Sequence, residues 1–171
     1  SVYGPIEPNQ QDSAVSGTIE CFIEDVFNPE DKSLEALQHK FLHSFSAAIR
    51  HEVYFKTLVR LCFSIVSRGN SLADTITLAG SLALIDAGIE MTDFLVSCTV
   101  GLENDSFVSF KTSESCSVRV AILQSTDEIV ETEVIGKIEP DRLLEAVNTA
   151  TEGCKQLRNS IQQYFTQTLQ Q

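Results

Sequence analysis

The run Ser71-Leu72-Ala73-Asp74-Thr75-Ile76-Thr77-Leu78-Ala79-Gly80-Ser81-Leu82-Ala83-Leu84-Ile85-Asp86-Ala87-Gly88-Ile89-Glu90-Met91-Thr92-Asp93 decides how this chain folds. Arg68-Gly69-Asn70 before it reads as a turn, and Ser71 stands where a helix cap belongs. Leu72, Ile76, Ala79, Gly80, Ala83, Leu84 and Ala87 then fall on one helical stripe, which predicts a buried face over 72–87. The small residues on that stripe let the helix axis lie close to another backbone. Gly80 costs about 1 kcal/mol relative to Ala in a helix interior, a loss that close packing offsets. Gly88 ends the helix.

Upstream, residues 54–68 read as a strand. Leu58, Arg60, Cys62, Ser64 and Val66 point one way, and Thr57, Val59, Leu61, Phe63 and Ile65 the other. Both sets contain apolar residues, so the strand is expected to be central. Before it, Asn28-Pro29-Glu30 opens a predicted helix to about residue 51, with Asn28 as cap and Pro29 in the first turn. Leu34, Leu37, Phe41, Phe45 and Ala48 form its buried stripe. Residues 17–26 alternate as a strand. Val2-Tyr3 reads as a strand end, with Gly4-Pro5 and Pro8-Asn9 as turn and loop. The expectation is a domain entered after its first strands.

Downstream, three or four strands of an antiparallel run are predicted, over 93–101, 106–110, 116–124 and 129–138, separated by polar turns. A last helix runs from Pro140 toward Leu169, with Leu143, Val147, Ala150, Cys154, Leu157, Ile161, Tyr164 and Thr168 on one stripe. The fold class is therefore α+β: a mixed or antiparallel sheet packed by helices, with a long C-terminal helix. The chain has 171 residues, which fits one domain over 1–171.

Charge narrows the function classes. Twelve Lys+Arg face 24 Asp+Glu, a net of -12. This argues against a broad basic face for duplex nucleic acid, though not against a few local Arg or Lys contacts, and docking on an anionic membrane is disfavoured. No apolar run reaches the ~18 residues of a membrane span, and the first residues do not read as a signal peptide. Cys21, Cys62, Cys98, Cys116 and Cys154 are widely spaced, which suits buried free thiols in a reducing compartment such as cytosol or nucleus.

Motifs for common chemistry are missing. His39 and His43 have zinc-ligand spacing and Glu35 lies one turn earlier, but no His-Glu-x-x-His exists, and a solvated helix flank accounts for them better. No phosphate-cradling glycine loop or nucleophile elbow occurs. Asp127, Glu128, Glu131 and Glu133 read as a turn and an outer strand face that shields an edge. Asp74 suits the first turn of its helix by dipole; Asp86 sits in the last turn, where the dipole opposes it, and is expected to take a local hydrogen bond.

The segment Ala83-Leu84-Ile85-Asp86-Ala87-Gly88-Ile89, followed by Met91 and Asp93 and closed by Val100-Gly101, resembles the RNase PH family. Val2-Tyr3-Gly4-Pro5-Ile6-Glu7-Pro8 is similar to the early strand end of eukaryotic exosome subunits in particular. Tyr54-Phe55-Lys56 stands where the family often has Tyr-Pro-Arg. The resemblance implies the family's β-α-β-α architecture and covers nearly the whole chain.

Active members carry an acidic turn where this chain has Arg68-Gly69-Asn70, and acids after Val-Gly where it has Phe110-Lys111-Thr112-Ser113-Glu114. Arg68 and Lys111 therefore stand at expected acid positions. Phosphorolysis of RNA needs carboxylates, usually with a divalent ion, and a cationic phosphate pocket. The resemblance then implies a non-catalytic ring subunit of the RNA exosome, with no catalytic residue, metal or cofactor of its own. It implies other RNase PH-like subunits and cap proteins as partners, single-stranded RNA in the assembled channel, and residence in nucleus, nucleolus and cytoplasm. Lys56, Arg60 and Arg68 are the candidate RNA contacts. The alternative is an active phosphate-dependent 3′-to-5′ exoribonuclease using Glu114 with Asp74 or Asp86.

Overall fold

The computed structural model describes residues 1–6, 17–113 and 115–168. The loop expected at Pro8-Asn9, the helix end from Leu169 and the candidate acid Glu114 lie outside the described residues. The chain forms two compact units, Ser1–Gly69 with Ile76–Phe94, and Asn70–Thr75 with Leu95–Gln171.

In the first unit, β1 (Val2–Ile6) and β2 (Thr18–Asp25) flank β3 (Leu58–Ile65). β1 runs antiparallel to β3, and β2 runs parallel to it. The strand expected over 54–68 is central but shorter. Residues before Leu58 turn instead, with Lys56 at a φ of 52°. Along β2, Ile19, Cys21, Ile23 and Asp25 are buried, and the alternate residues lie on the other face.

α1 (Ser33–Ala48) packs on β2. It starts five residues after Asn28, because Asn28 and Pro29 are spent in a turn: the Asp25 carbonyl accepts the Asn28 amide at 3.2 Å, and the Asn28 carbonyl accepts that of Asp31 at 3.3 Å. The acid that meets the helix start is Asp31, whose Oδ1 accepts the Ser33 amide at 2.9 Å. Phe41, Phe45 and Ala48 are fully buried, as the stripe predicts. His39 and His43 are exposed, and no metal-holding cluster exists among the described residues.

α2 (Leu72–Asp86) is rotated from its predicted face. Asp74, Ile76, Thr77, Gly80, Ser81 and Leu84 are buried, whereas Ala79 and Ala87 are exposed. Alanine has too little apolar area to dictate which side turns inward. Ser71 is no side-chain cap: its carbonyl accepts the Thr75 amide at 3.1 Å, and its Oγ is buried without a partner among the described residues. Gly80 is explained by the Phe45 and Phe63 rings, whose centroids stack 6.1 Å apart. A Cβ on residue 80 would run into the Phe45 ring and come within 2.9 Å of Phe63 Cζ.

The second unit holds β4 (Leu95–Glu103), β5 (Ser106–Ser109), β6 (Cys116–Leu123) and β7 (Glu128–Gly136). They form one antiparallel sheet in the order β5-β4-β6-β7. α3 (Pro140–Thr168) packs on β4, β5 and β6 through Ala146, Ala150, Gly153 and Cys154. Tyr164, predicted on the buried stripe, is 66% exposed. All five cysteines are free thiols. Burial pushes Cys21 up to about 12 and Cys98 up to about 11, so both are protonated at neutral pH. No described helix is long and apolar enough to cross a membrane.

The tight approach at Gly80 is testable. Gly80→Val is expected to destabilise the fold by about 1–3 kcal/mol, the usual cost of overpacking, in urea unfolding. An unchanged midpoint would mean that Phe45 has room to move aside.

Candidate nucleic-acid interface

The three cations singled out from the sequence all lie in the first unit, and they differ in what they touch. Arg60 sits mid-β3, in parallel register with Glu20 of β2. Its Nε and second guanidinium nitrogen both donate to Glu20 Oε2 at 2.8 Å, and its guanidinium lies 5.5 Å from the Phe22 ring centre. A guanidinium held by both a carboxylate and an aromatic face is a fixed element of the sheet surface.

Arg68 is held more tightly. Its Nε donates to Asp25 Oδ2 at 2.7 Å and its second guanidinium nitrogen to Asp31 Oδ2 at 2.6 Å. Those two acids frame the turn between β2 and α1. Asp25 Oδ1 also accepts the Phe27 amide at 2.9 Å. That amide first, and then Arg68, hold the Asp25 carboxyl below its usual range. Ser33, together with Arg68, holds that of Asp31 down at about 2. Arg68 thus pins the entry to α1.

Lys56 is the exception. It is exposed in the turn before β3, and its Nζ lies 5.4 Å from the Phe55 ring centre, with Phe55 57% exposed. An exposed cation beside an exposed aromatic ring has the makings of a contact to single-stranded nucleic acid: one neutralises phosphate and the other stacks on a base.

The acid positions are also informative. Lys111 Nζ donates to Glu103 Oε2 at 2.6 Å. Asp86 is exposed at the end of α2. Asp74 is 5% exposed: its Oδ1 accepts the Ser97 hydroxyl and its Oδ2 the Thr99 amide, both at 2.8 Å. Arg119, also 5% exposed, places its Nε 3.7 Å from Asp74 Oδ1 and donates to Glu131 Oε1 at 3.1 Å. The carboxylate expected to serve the helix dipole instead joins α2 to β4, deep in the second unit. Arg119 escaped the sequence reading; its one signal was a lone cation inside the apolar run 116–123. Glu131, expected on a solvated face, is Arg119's partner.

A family model described as "3' exoribonuclease family, domain 1" (RNase PH) matches residues 1–90. The chain belongs to this RNase PH family. The exosome complex component ski6 of Schizosaccharomyces pombe (strain 972 / ATCC 24843) is 25% identical over 130 residues. The match takes in 74% of this chain and 54% of that protein, so the chain spans about half the length of this relative. Among solved structures, rice (Oryza sativa) Rrp46 superposes with a TM-score of 0.82 at 14% identity, over 93% of this chain and 78% of that one. The Archaeoglobus fulgidus exosome with RNA bound to the active site superposes with a TM-score of 0.74 at 17% identity, over 91% of this chain and 74% of that one. The α+β architecture with two sheets and a long C-terminal helix is thus that of RNase PH-like structures.

Two outcomes test this geometry. Asp25 and Asp31 titrate lower in the folded state, so their contribution is present above the unfolded carboxyl value near about 4. Melting temperatures should fall as the pH drops from there toward about 2, and Arg68→Ala should flatten that decline. For Asp74, replacement by Ala takes the acceptor from the buried Ser97 hydroxyl and Thr99 amide and one carboxylate from Arg119, and should cost about 1–3 kcal/mol in chemical unfolding. A loss under about 1 kcal/mol would show that the Ser97 and Thr99 donors find other acceptors.

Proposed function

We propose that this RNase PH-family chain acts as one RNase PH-like domain, a catalytically inactive subunit of an exosome core ring. Its task is positional: it closes the channel that leads single-stranded RNA to a nuclease elsewhere in the assembly. The reading is carried by the cations at the two expected acid positions, Arg68 and Lys111, each locked to carboxylates of this chain. At those two positions the carboxylates among the described residues are engaged by the cations, which leaves neither a carboxylate pair for a metal ion nor a free cation for phosphate. Buried Asp74 has its carboxylate taken up by Ser97, Thr99 and Arg119, which leaves it poorly placed to ligate a metal ion or reach RNA.

The partners in this reading are other RNase PH-like subunits and smaller cap proteins, in nucleus, nucleolus and cytoplasm. Lys56 is the RNA contact best placed on this chain. Arg60 and Arg68 reach phosphate only by exchanging the carboxylates they hold. The net charge of -12 keeps such contacts local.

The test is a phosphorolysis assay on 3′-labelled single-stranded RNA, with inorganic phosphate and magnesium, run on the isolated chain and on the assembled ring. The isolated chain is expected to release no nucleoside diphosphate, and Glu114→Ala in the ring should leave RNA decay unchanged. Phosphate-dependent release by the isolated chain, abolished by Glu114→Ala, would establish the exoribonuclease instead.

A further inference from the structure

The turn between β6 and β7 carries hydroxyls followed by acids. Ser125, Thr126, Asp127 and Glu128 are all exposed there. Asp127 bends the chain with a φ of 55°. A hairpin tip of this kind opens locally at little cost, so an enzyme can reach its side chains.

α3 brings two cations to this turn, and they hold the residues on either side of Ser125 and Thr126. Arg158 donates to the Gln124 carbonyl at 2.9 Å. Lys155 Nζ lies 3.6 Å from Asp127 Oδ2 and donates to Glu152 Oε1 at 3.2 Å. Lys155 is thus shared between two carboxylates. Arg158 holds a neutral carbonyl, and no carboxylate among the described residues pairs with it. A guanidinium carries several N–H donors in a planar fork, and one carbonyl does not neutralise its charge.

Gln124 shows the same surplus of donors. It is 8% exposed, and its amide nitrogen has no hydrogen-bond partner among the described residues. It lies on the α3 side of the sheet. A Cβ on Gly153 of α3 would run into Cys98 Sγ, Cys98 pairs with Val120, and Ile122 and Gln124 follow on that face by alternation. A buried donor without an acceptor is costly, and an anion at the turn would supply one.

We propose that Ser125 is a phosphorylation site and that its phosphate docks on Arg158, fastening the β6–β7 hairpin to α3. The modifying enzyme is a kinase with a basic substrate cleft, selected by Asp127 and Glu128 just downstream of the hydroxyl. The Ser125 hydroxyl oxygen bonds to the γ-phosphorus of a nucleoside triphosphate. The bond from that phosphorus to the bridging oxygen breaks, the nucleoside diphosphate leaves, and the hydroxyl proton passes to the kinase's base. The product carries close to two negative charges at neutral pH, and its oxygens match the guanidinium fork. The surroundings are otherwise balanced: Asp127 and Glu128 on the turn and Glu152 on α3 oppose Lys155 and Arg158. Contact with Arg158 therefore decides whether the phosphate is held to α3 or pushed away from it.

The chain is incubated with magnesium ATP and an acid-directed protein kinase, then mapped by mass spectrometry and titrated by phosphorus NMR. One phosphate is expected on Ser125, absent from Ser125→Ala and retained in Thr126→Val. Its second ionisation should fall about half a pH unit or more below the ordinary value near about 6, because Arg158 favours the dianion. Arg158→Gln should still be phosphorylated but should titrate near about 6 or above, since the neighbouring acids then dominate. The melting temperature of that variant reports on its folding. Should it fail to fold, the titration of the otherwise unmodified phosphorylated chain decides. No phosphate on Ser125, or phosphate on Thr126 instead, overturns the site. A Ser125 phosphate that titrates at or above about 6 with Arg158 present overturns the docking.

Discussion

A buried carboxylate sets the terms for the second unit. Asp74 accepts a hydroxyl from Ser97 and a backbone amide from Thr99, and Arg119 approaches it from β6. The first turn of α2 is thereby tied to β4, in the middle of the sheet. A charge this deeply buried persists only with partners, and the partners here come from two strands, β4 and β6. Arg119 extends the tie to Glu131, so the chain of contacts runs from α2 across β4 and β6 to the edge strand β7.

The same accounting governs the surface of the first unit. A cation is useful to RNA only if it is not already neutralised, and Arg60 and Arg68 each hold carboxylates of β2 or of the turn that follows it. Exposed ion pairs of this kind add little stability, but they set local geometry and withdraw charge from solvent. Of the three candidates, Lys56 beside Phe55, ahead of β3, is the one with no carboxylate shown against it.

Much of the architecture was legible because its signals are local. The order of elements, the central place of β3, the C-terminal helix and the acid-lined β7 all follow from apolar periodicity and turn residues. The faces and ends were less legible. α2 carries alanines on one side and Thr77, Ser81 and Leu84 on another, so hydrophobic contrast is weak and the rotation is settled by what Gly80 and Asp74 must reach. The start of α1 shifted because Asn28 and Pro29 suit a tight turn as well as a helix. At the candidate interface, the residue types were readable and their pairing was not: Arg60 meets Glu20 across 40 positions and Arg68 meets Asp25 across 43.

The sequence by itself determined the element types and the acidic character that argues against a broad basic face. Its motif around Ala83–Gly88 carried the likeness to the RNase PH family. These rest on periodicity, composition and residue order, which survive without a third dimension. Only the tertiary structure decided which cations hold carboxylates, that Asp74 is buried against β4 and Arg119, and that no described strand pairs with the outer edge of β7. Those facts depend on distances between residues far apart in the chain, and an ion pair exists only where two backbones bring its partners within about 4 Å.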